Sequence, residues 1–150
     1  MPDVTDVREC SIARTLEVVG ERWTLLAIRE IMFGNRRFEE IRRYTGAPRD
    51  ILTARLRKLE ANGLVARIEY QQRPARHEYR LTDLGWSLLP VLVVLRSWGD
   101  EHLPGPDGPP VVFEHSCGAT LTPSVTCAEC GDPIRPETMW PREGARQEAR

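Results

Sequence analysis

No apolar run in this sequence is long enough to cross a bilayer. The longest, LLPVLVVL at 88–95, stops far short of the roughly 20 residues that a spanning helix needs. The first residues, MPDVTDVREC, have no basic region leading into an apolar stretch, so an export signal is not expected and a cytoplasmic protein is. Cysteine is scarce, with four in 150 residues, and histidine scarcer, with three. In a reducing compartment so few thiols point to metal binding, reactivity or simple burial rather than to a disulfide framework. There is no Walker loop, no nucleophile elbow and no Gly-rich dinucleotide fingerprint, and His77 and His102 have no motif around them. An enzyme is therefore not expected.

What is present is the balance of one ordinary globular core: 41% hydrophobic and 29% charged residues over 150 positions, enough for one main domain with a small satellite. The net charge of −1 hides an uneven distribution. Between Arg36 and Arg80 there are eleven Arg and one Lys against six acids, while from Glu101 onward four Arg face eight acids. A concentrated basic segment in a neutral chain is what a phosphate-facing surface requires, although a solvated, salt-bridged face has the same composition.

The order of elements separates these two readings. SIARTLEVV (11–19) spaces Ile12, Leu16 and Val19 as a helix does, with Ser11 as the expected N-cap. ERWTLLAIREIMF (21–33) is apolar almost all round and ends at Gly34, as a central core helix would. RFEEIRRY (37–44) is short and is broken by TGAP. PRDILTARLRKLEANG (48–63) opens with proline, carries Leu52, Leu56 and Leu59 on one stripe, and closes at Gly63. Two helices joined by a Gly/Pro turn make a helix-turn-helix. With the leucines inward, about 100° per residue turns Asp50, Thr53, Ala54, Arg57 and Lys58 outward, with Arg49 at the helix start and Arg55 on its flank. The N-terminal part of such a helix reaches base edges, so Arg49, Thr53 and Arg57 are the expected base readers, with Arg37, Arg55 and Lys58 as further DNA contacts. LVARIEY (64–70) and RHEYRLT (76–82) alternate as strands do around QQRPA, a β-hairpin wing that places Arg73 and Arg76 at or beside its tip for phosphate or minor-groove contact.

After Thr82, a cap candidate, DLGWSLLPVLVVLRSWGDEHL has Leu84, Leu88, Leu92 and Leu95 on one face, with Leu89, Val93, Val94 and Trp98 around it and a kink expected at Pro90. A surface helix needs one apolar face. This one has two, and a second copy of the chain is expected to cover the other.

Residues 10–99 resemble the HxlR-type winged-helix transcriptional regulators, related to the MarR group. The resemblance rests on the Cys before the first helix and on GERWTLLAIREI, RRFEEIRR, LTARLRKLEANGLV, HEYRLTDLG and SWG taken together. Pro48 stands where many relatives have a Ser. The resemblance implies a homodimeric DNA-binding repressor or activator whose first and last helices form the dimer interface. In some members the Cys at the position of Cys10 responds to oxidants or electrophiles. Arg8 and Arg14 would favour such a thiolate and Glu9 would oppose it, while a small apolar residue at the dimer interface is the plainer reading.

The LPGPDGPP stretch (103–110) reads as a stiff linker. Beyond it, HSCGATLTPSVTCAECG (115–131) puts His115 and Cys117 two apart on one strand face and Cys127 and Cys130 on a compact turn. Together they offer one His and three Cys for a tetrahedral structural zinc in a segment with little apolar content. A Cys127–Cys130 redox pair remains a second reading, and a three-thiolate site in which His115 is only a strand residue a third.

The expected organisation is therefore mainly α with a small β-hairpin wing. It comprises a winged helix-turn-helix domain (1–103), a linker (104–110), a zinc-ribbon-like module (111–135) and a disordered tail (136–150). The expected function is that of a homodimeric regulator, a repressor on a pseudo-palindromic operator in double-stranded DNA, with no membrane partner and with Cys10 or a small molecule as the route for an effector. The alternative is a zinc-containing protein-interaction module on a winged-helix scaffold, which, unlike the regulator, need not shift random duplex at low salt.

Overall fold

The structure, a computed structural model, describes residues 10–141. Four helices come first: α1 (Ser11–Val19), α2 (Arg22–Met32), α3 (Phe38–Thr45) and α4 (Arg49–Ala61). The expected cap at Ser11 is displaced by one residue. Cys10 takes the extended N-cap conformation, and Ser11 lies inside the helix, its hydroxyl accepting from Arg14 at 3.1 Å. α2 lies at the centre, with Ala27, Ile28 and Ile31 buried against Ile41 of α3 and against the fully buried Leu52, Leu56 and Leu59 of α4. The i, i+4, i+7 leucine stripe thus lies inward, as its spacing requires.

Two polar devices shape the turns. Glu30 is buried, and its carboxylate accepts from Asn35 Nδ2 at 2.7 Å while pairing with Arg29 at 2.6 Å, which fastens the α2–α3 turn. At the end of α3, Gly46 has φ +74°, a left-handed conformation that reverses the chain toward Pro48. Pro48 serves as N-cap of α4 rather than as its first helical residue.

β1 (Val65–Gln72) and β2 (Ala75–Leu81) form an antiparallel hairpin that turns at Arg73 and Pro74. Val65 pairs with Leu81, Arg67 with Tyr79 and Glu69 with His77, and a bulge interrupts the register between Glu69 and Gln71. The Tyr79 backbone N–H also donates to the Arg36 carbonyl at 2.7 Å, tying the segment before α3 to the edge of β2. α5 (Asp83–Trp86) begins where expected, with the Thr82 hydroxyl accepting from the Gly85 N–H at 3.1 Å. Gly85 has no substitute there, since a Cβ would stand 2.1 Å from the Leu64 carbonyl oxygen. The kink expected at Pro90 is a full break. α5 stops at Trp86 and α6 (Leu89–His102) starts anew with Pro90 in its first turn, where a missing N–H leaves no bond unmade. Leu88 and Leu92 pack on the core.

The chain divides into two compact units after Leu92, inside α6 and ahead of the Pro/Gly stretch. In the second unit Arg96 explains part of that placement. Its guanidinium donates to the Val111 carbonyl, lies 4.6 Å from the Phe113 ring and pairs with Asp100 at 3.3 Å, so the proline-rich segment returns to the C-terminal half of α6. Further on, only isolated bridges form, Glu114 with Thr120 and Thr126 with Pro133, and a 3₁₀ turn follows at Pro136–Thr138. The expected disordered tail falls mostly on residues 142–150, outside the described residues. No helix of the described residues is long and apolar enough to cross a membrane.

Candidate nucleic-acid interface

α3, the Gly46 turn and α4 form the helix-turn-helix, and the hairpin follows directly. Arg37 caps α3, with its backbone N–H donating to Glu40 at 3.1 Å and its guanidinium 5.2 Å from the Tyr70 ring. Arg49 opens α4, pairs with Glu39 and lies 5.2 Å from the Phe38 ring. Glu39 also accepts from Arg42 at 3.0 Å, and these bonds, Arg42's first, hold its carboxyl below the ordinary value. Asp50, Ala54 and Arg57 are exposed on the outer side of α4, and Lys58 is half-buried. The Thr53 hydroxyl donates to the Arg49 carbonyl at 2.8 Å. Arg55 is set apart from this group. Its side chain is 22% exposed and lies 3.7 Å from Glu21, with Nε buried and unbonded. Arg73 and Arg76 are exposed at and beside the hairpin tip.

Between α4 and the hairpin lies a cleft of about 210 Å³ lined by Phe38, Arg49, Thr53, Arg57, Glu60, Arg67 and Tyr79. Sequence reasoning passed over Arg67 and Tyr79. Burial pushes the Tyr79 hydroxyl up and Glu60 adds to this, while the Arg67 and Arg57 charges act the other way. Arg67 is also placed by His77, whose Nδ1 lies 3.2 Å from its guanidinium. The signal for this pair was the strand alternation itself, which carries the core face from Val65 and Leu81 out to Arg67 and Tyr79.

In the second unit the Cys/His segment forms two glycine turns. Gly118 (φ +84°) donates to the His115 carbonyl at 2.8 Å, and Gly131 (φ +78°) to the Cys127 carbonyl at 2.7 Å. The N–H groups of Cys130 and Glu129, with the Cys130 thiol, hold the Cys127 thiol below its ordinary value. The structure thus brings Cys127 and Cys130 together. Among the described residues, no group of three or more His, Cys, Asp or Glu stands close enough to hold a metal, so the four donors expected from the sequence are not assembled. Cys10 is half-buried at the start of α1, and its expected neighbours Arg8 and Glu9 lie outside the described residues.

A helix-turn-helix with an exposed arginine face and a following hairpin defines a class of transcriptional regulators, and comparison with known proteins identifies which. Residues 18–106 match the HxlR-like helix-turn-helix family, and the chain belongs to it. It is 48% identical over 135 residues to an uncharacterized HTH-type transcriptional regulator of Mycobacterium tuberculosis, an alignment covering 89% of this chain and 85% of that one. Among solved structures it is similar to PA1607, a candidate transcription factor, with a TM-score of 0.78, 32% identity and coverage of 91% of this chain and 96% of the other. It is also similar to the reduced form of the redox regulator HypR, with a TM-score of 0.58, 35% identity and coverage of 63% and 94%. The chain is thus a transcriptional regulator of the HxlR type.

Proposed function

We propose that this chain works in the cytoplasm as a homodimeric repressor that occupies a pseudo-palindromic operator, α4 of each protomer entering a major groove while Arg73 and Arg76 meet flanking phosphates. The observation that carries the reading is the exposed face of α4, held rigidly by three fully buried leucines and opening with the arginine-bearing first turn. Arg49, Thr53 and Arg57 are the side chains named from the sequence for base contact. A second copy of the chain is supported by apolar surface left open on the first and last helices: Ile12 is 70% exposed, Leu16 54% and Trp98 54%. Mapping bound sites across the genome, followed by binding to the recovered duplex in solution, tests this directly. The expected result is an inverted repeat bound by two chains, and binding as a monomer to sites without symmetry would reject it.

Two attachments belong to the same proposal. Cys10 acts as the oxidant-responsive group, supported by the likeness to the redox regulator HypR. Mild oxidant then releases operator from the parent and not from Cys10→Ser, and equal sensitivity would reject the role. A structural zinc takes Cys117, Cys127, Cys130 and His115, supported by the two turns in which a left-handed glycine directly follows a cysteine, Cys117–Gly118 and Cys130–Gly131. Zinc would have to draw the two turns together, and with four protein ligands it would hold structure rather than activate water. Metal analysis of untagged protein should find about one zinc per chain, lost in Cys127→Ser with operator binding kept.

A further inference from the structure

The cleft between α4 and the hairpin has a chemistry of its own. Val65 and Leu81, paired across the strands, pack in and against the core, and the next pair on that face is Arg67 opposite Tyr79. Arg57 and Glu60, three apart on α4, line the other wall. About 210 Å³ is room for a phosphate group and its nearest waters. Arg49 also reaches the cleft, but its guanidinium is turned to Glu39, a carboxylate that Arg42 shares. The Arg57 and Arg67 guanidiniums face the single Glu60 carboxylate, so the lining is net positive. No described residue hydrogen-bonds to the Tyr79 hydroxyl, and its burial, reinforced by Glu60, keeps the phenol protonated and able to donate.

We propose that this cleft seats one backbone phosphodiester of DNA, gripped by Arg57 and Arg67 and hydrogen-bonded by the Tyr79 hydroxyl. A phosphodiester carries a single negative charge, which the net positive lining attracts. A free phosphate or phosphomonoester approaches two charges near neutral pH and would be opposed by Glu60. The inference rests on the DNA-binding reading above and deepens it, because it moves Arg57 from reading a base to holding the backbone, a contact that orients the helix without carrying sequence information.

The test uses the full chain with its operator duplex and an unrelated duplex over a range of salt. Arg57→Ala and Arg67→Ala should each weaken both duplexes by the same factor, roughly tenfold, and lower the salt slope by about one. Tyr79→Phe, which keeps the ring and so the fold, should weaken both by roughly threefold with the slope unchanged, since a neutral donor releases no counterion. Glu60→Gln should tighten both duplexes and let inorganic phosphate compete, which it should not do against the parent beyond the effect of chloride at equal ionic strength. A parent that binds DNA while Arg67→Ala and Tyr79→Phe bind it equally well would overturn the clamp. So would loss of discrimination between the duplexes in Arg57→Ala, which marks a base reader, or efficient competition by inorganic phosphate against the parent, which marks a free-anion site. A parent that binds no duplex at all would reject the DNA-binding reading and the clamp together.

Discussion

The two units of this chain are held by different forces. Among the described residues, the first buries eleven hydrophobic side chains in a continuous core drawn from α1, α2, α3, α4, the turns beside them and the start of the hairpin. In the second, no residue from Val93 to Pro141 is buried. What orders it is hydrogen bonding and charge: the Arg96 anchor to Val111 and Phe113, two glycine turns and two isolated bridges. Apolar burial is cooperative and non-directional, whereas exposed hydrogen bonds exchange with water and contribute little net. The contrast teaches that only the first unit has the means to hold a rigid DNA-facing surface unaided. It is also the physical reason a metal or a partner is sought for the second.

The sharpest way to break this contrast is to remove the same atoms from each unit. Leu56→Ala, in the fully buried stripe, should lower unfolding stability by about 2–5 kcal/mol in urea titrations, whereas Leu121→Ala in the second unit should change it by less than about 0.5 kcal/mol. Comparable losses would mean that the second unit has a core of its own. Next in size, Gly85→Ala forces a Cβ against the Leu64 carbonyl and should cost about 1–3 kcal/mol, read as a lower melting temperature. An unchanged Tm would show that α5 can move away from the core. Asn35→Ala removes the donor to buried Glu30 and should cost about 1–2 kcal/mol by the same measurement, because Arg29 remains on the carboxylate.

The smallest effect concerns the second unit. The Cys127 thiol is held low by N–H groups that point at it only while the 127–131 turn is formed. In chelator-treated protein its alkylation by iodoacetamide should therefore reach half-maximal rate at lower pH than a free cysteine does. A profile matching free cysteine would show that the turn dissolves in solution, and the contrast between the units would then be sharper than described.

Much of the first unit was legible along the chain because local periodicity and burial agree there. The spacing of Leu52, Leu56 and Leu59 pointed to the inner face of α4, and Thr82 marked the start of α5. Element ends were less legible, since capping depends on backbone conformation more than on residue type. Cys10 rather than Ser11 caps α1, and Pro90 lies in the first turn of a new helix instead of bending one. For the candidate interface, the arginines of α4 and the hairpin tip could be named from helical phase and turn chemistry. Arg55 was expected on the flank of α4 as a further DNA contact, and its pairing with Glu21 could not be foreseen because it joins residues far apart in sequence.

The sequence by itself determined the helix-turn-helix, the hairpin and the excess of positive charge around them, because each depends on residues within a turn or two of one another. Only the tertiary structure decided which charges face the same space. Glu39 occupies Arg49, and the strand register sets Arg67 beside Tyr79 opposite Arg57 and Glu60. It also decided that, among the described residues, no third ligand stands close to the Cys127–Cys130 turn that the sequence already showed. The physical reason is the same in each case. Helical phase and strand alternation orient a side chain relative to its own element, but the distance between side chains of different elements is set by how those elements pack.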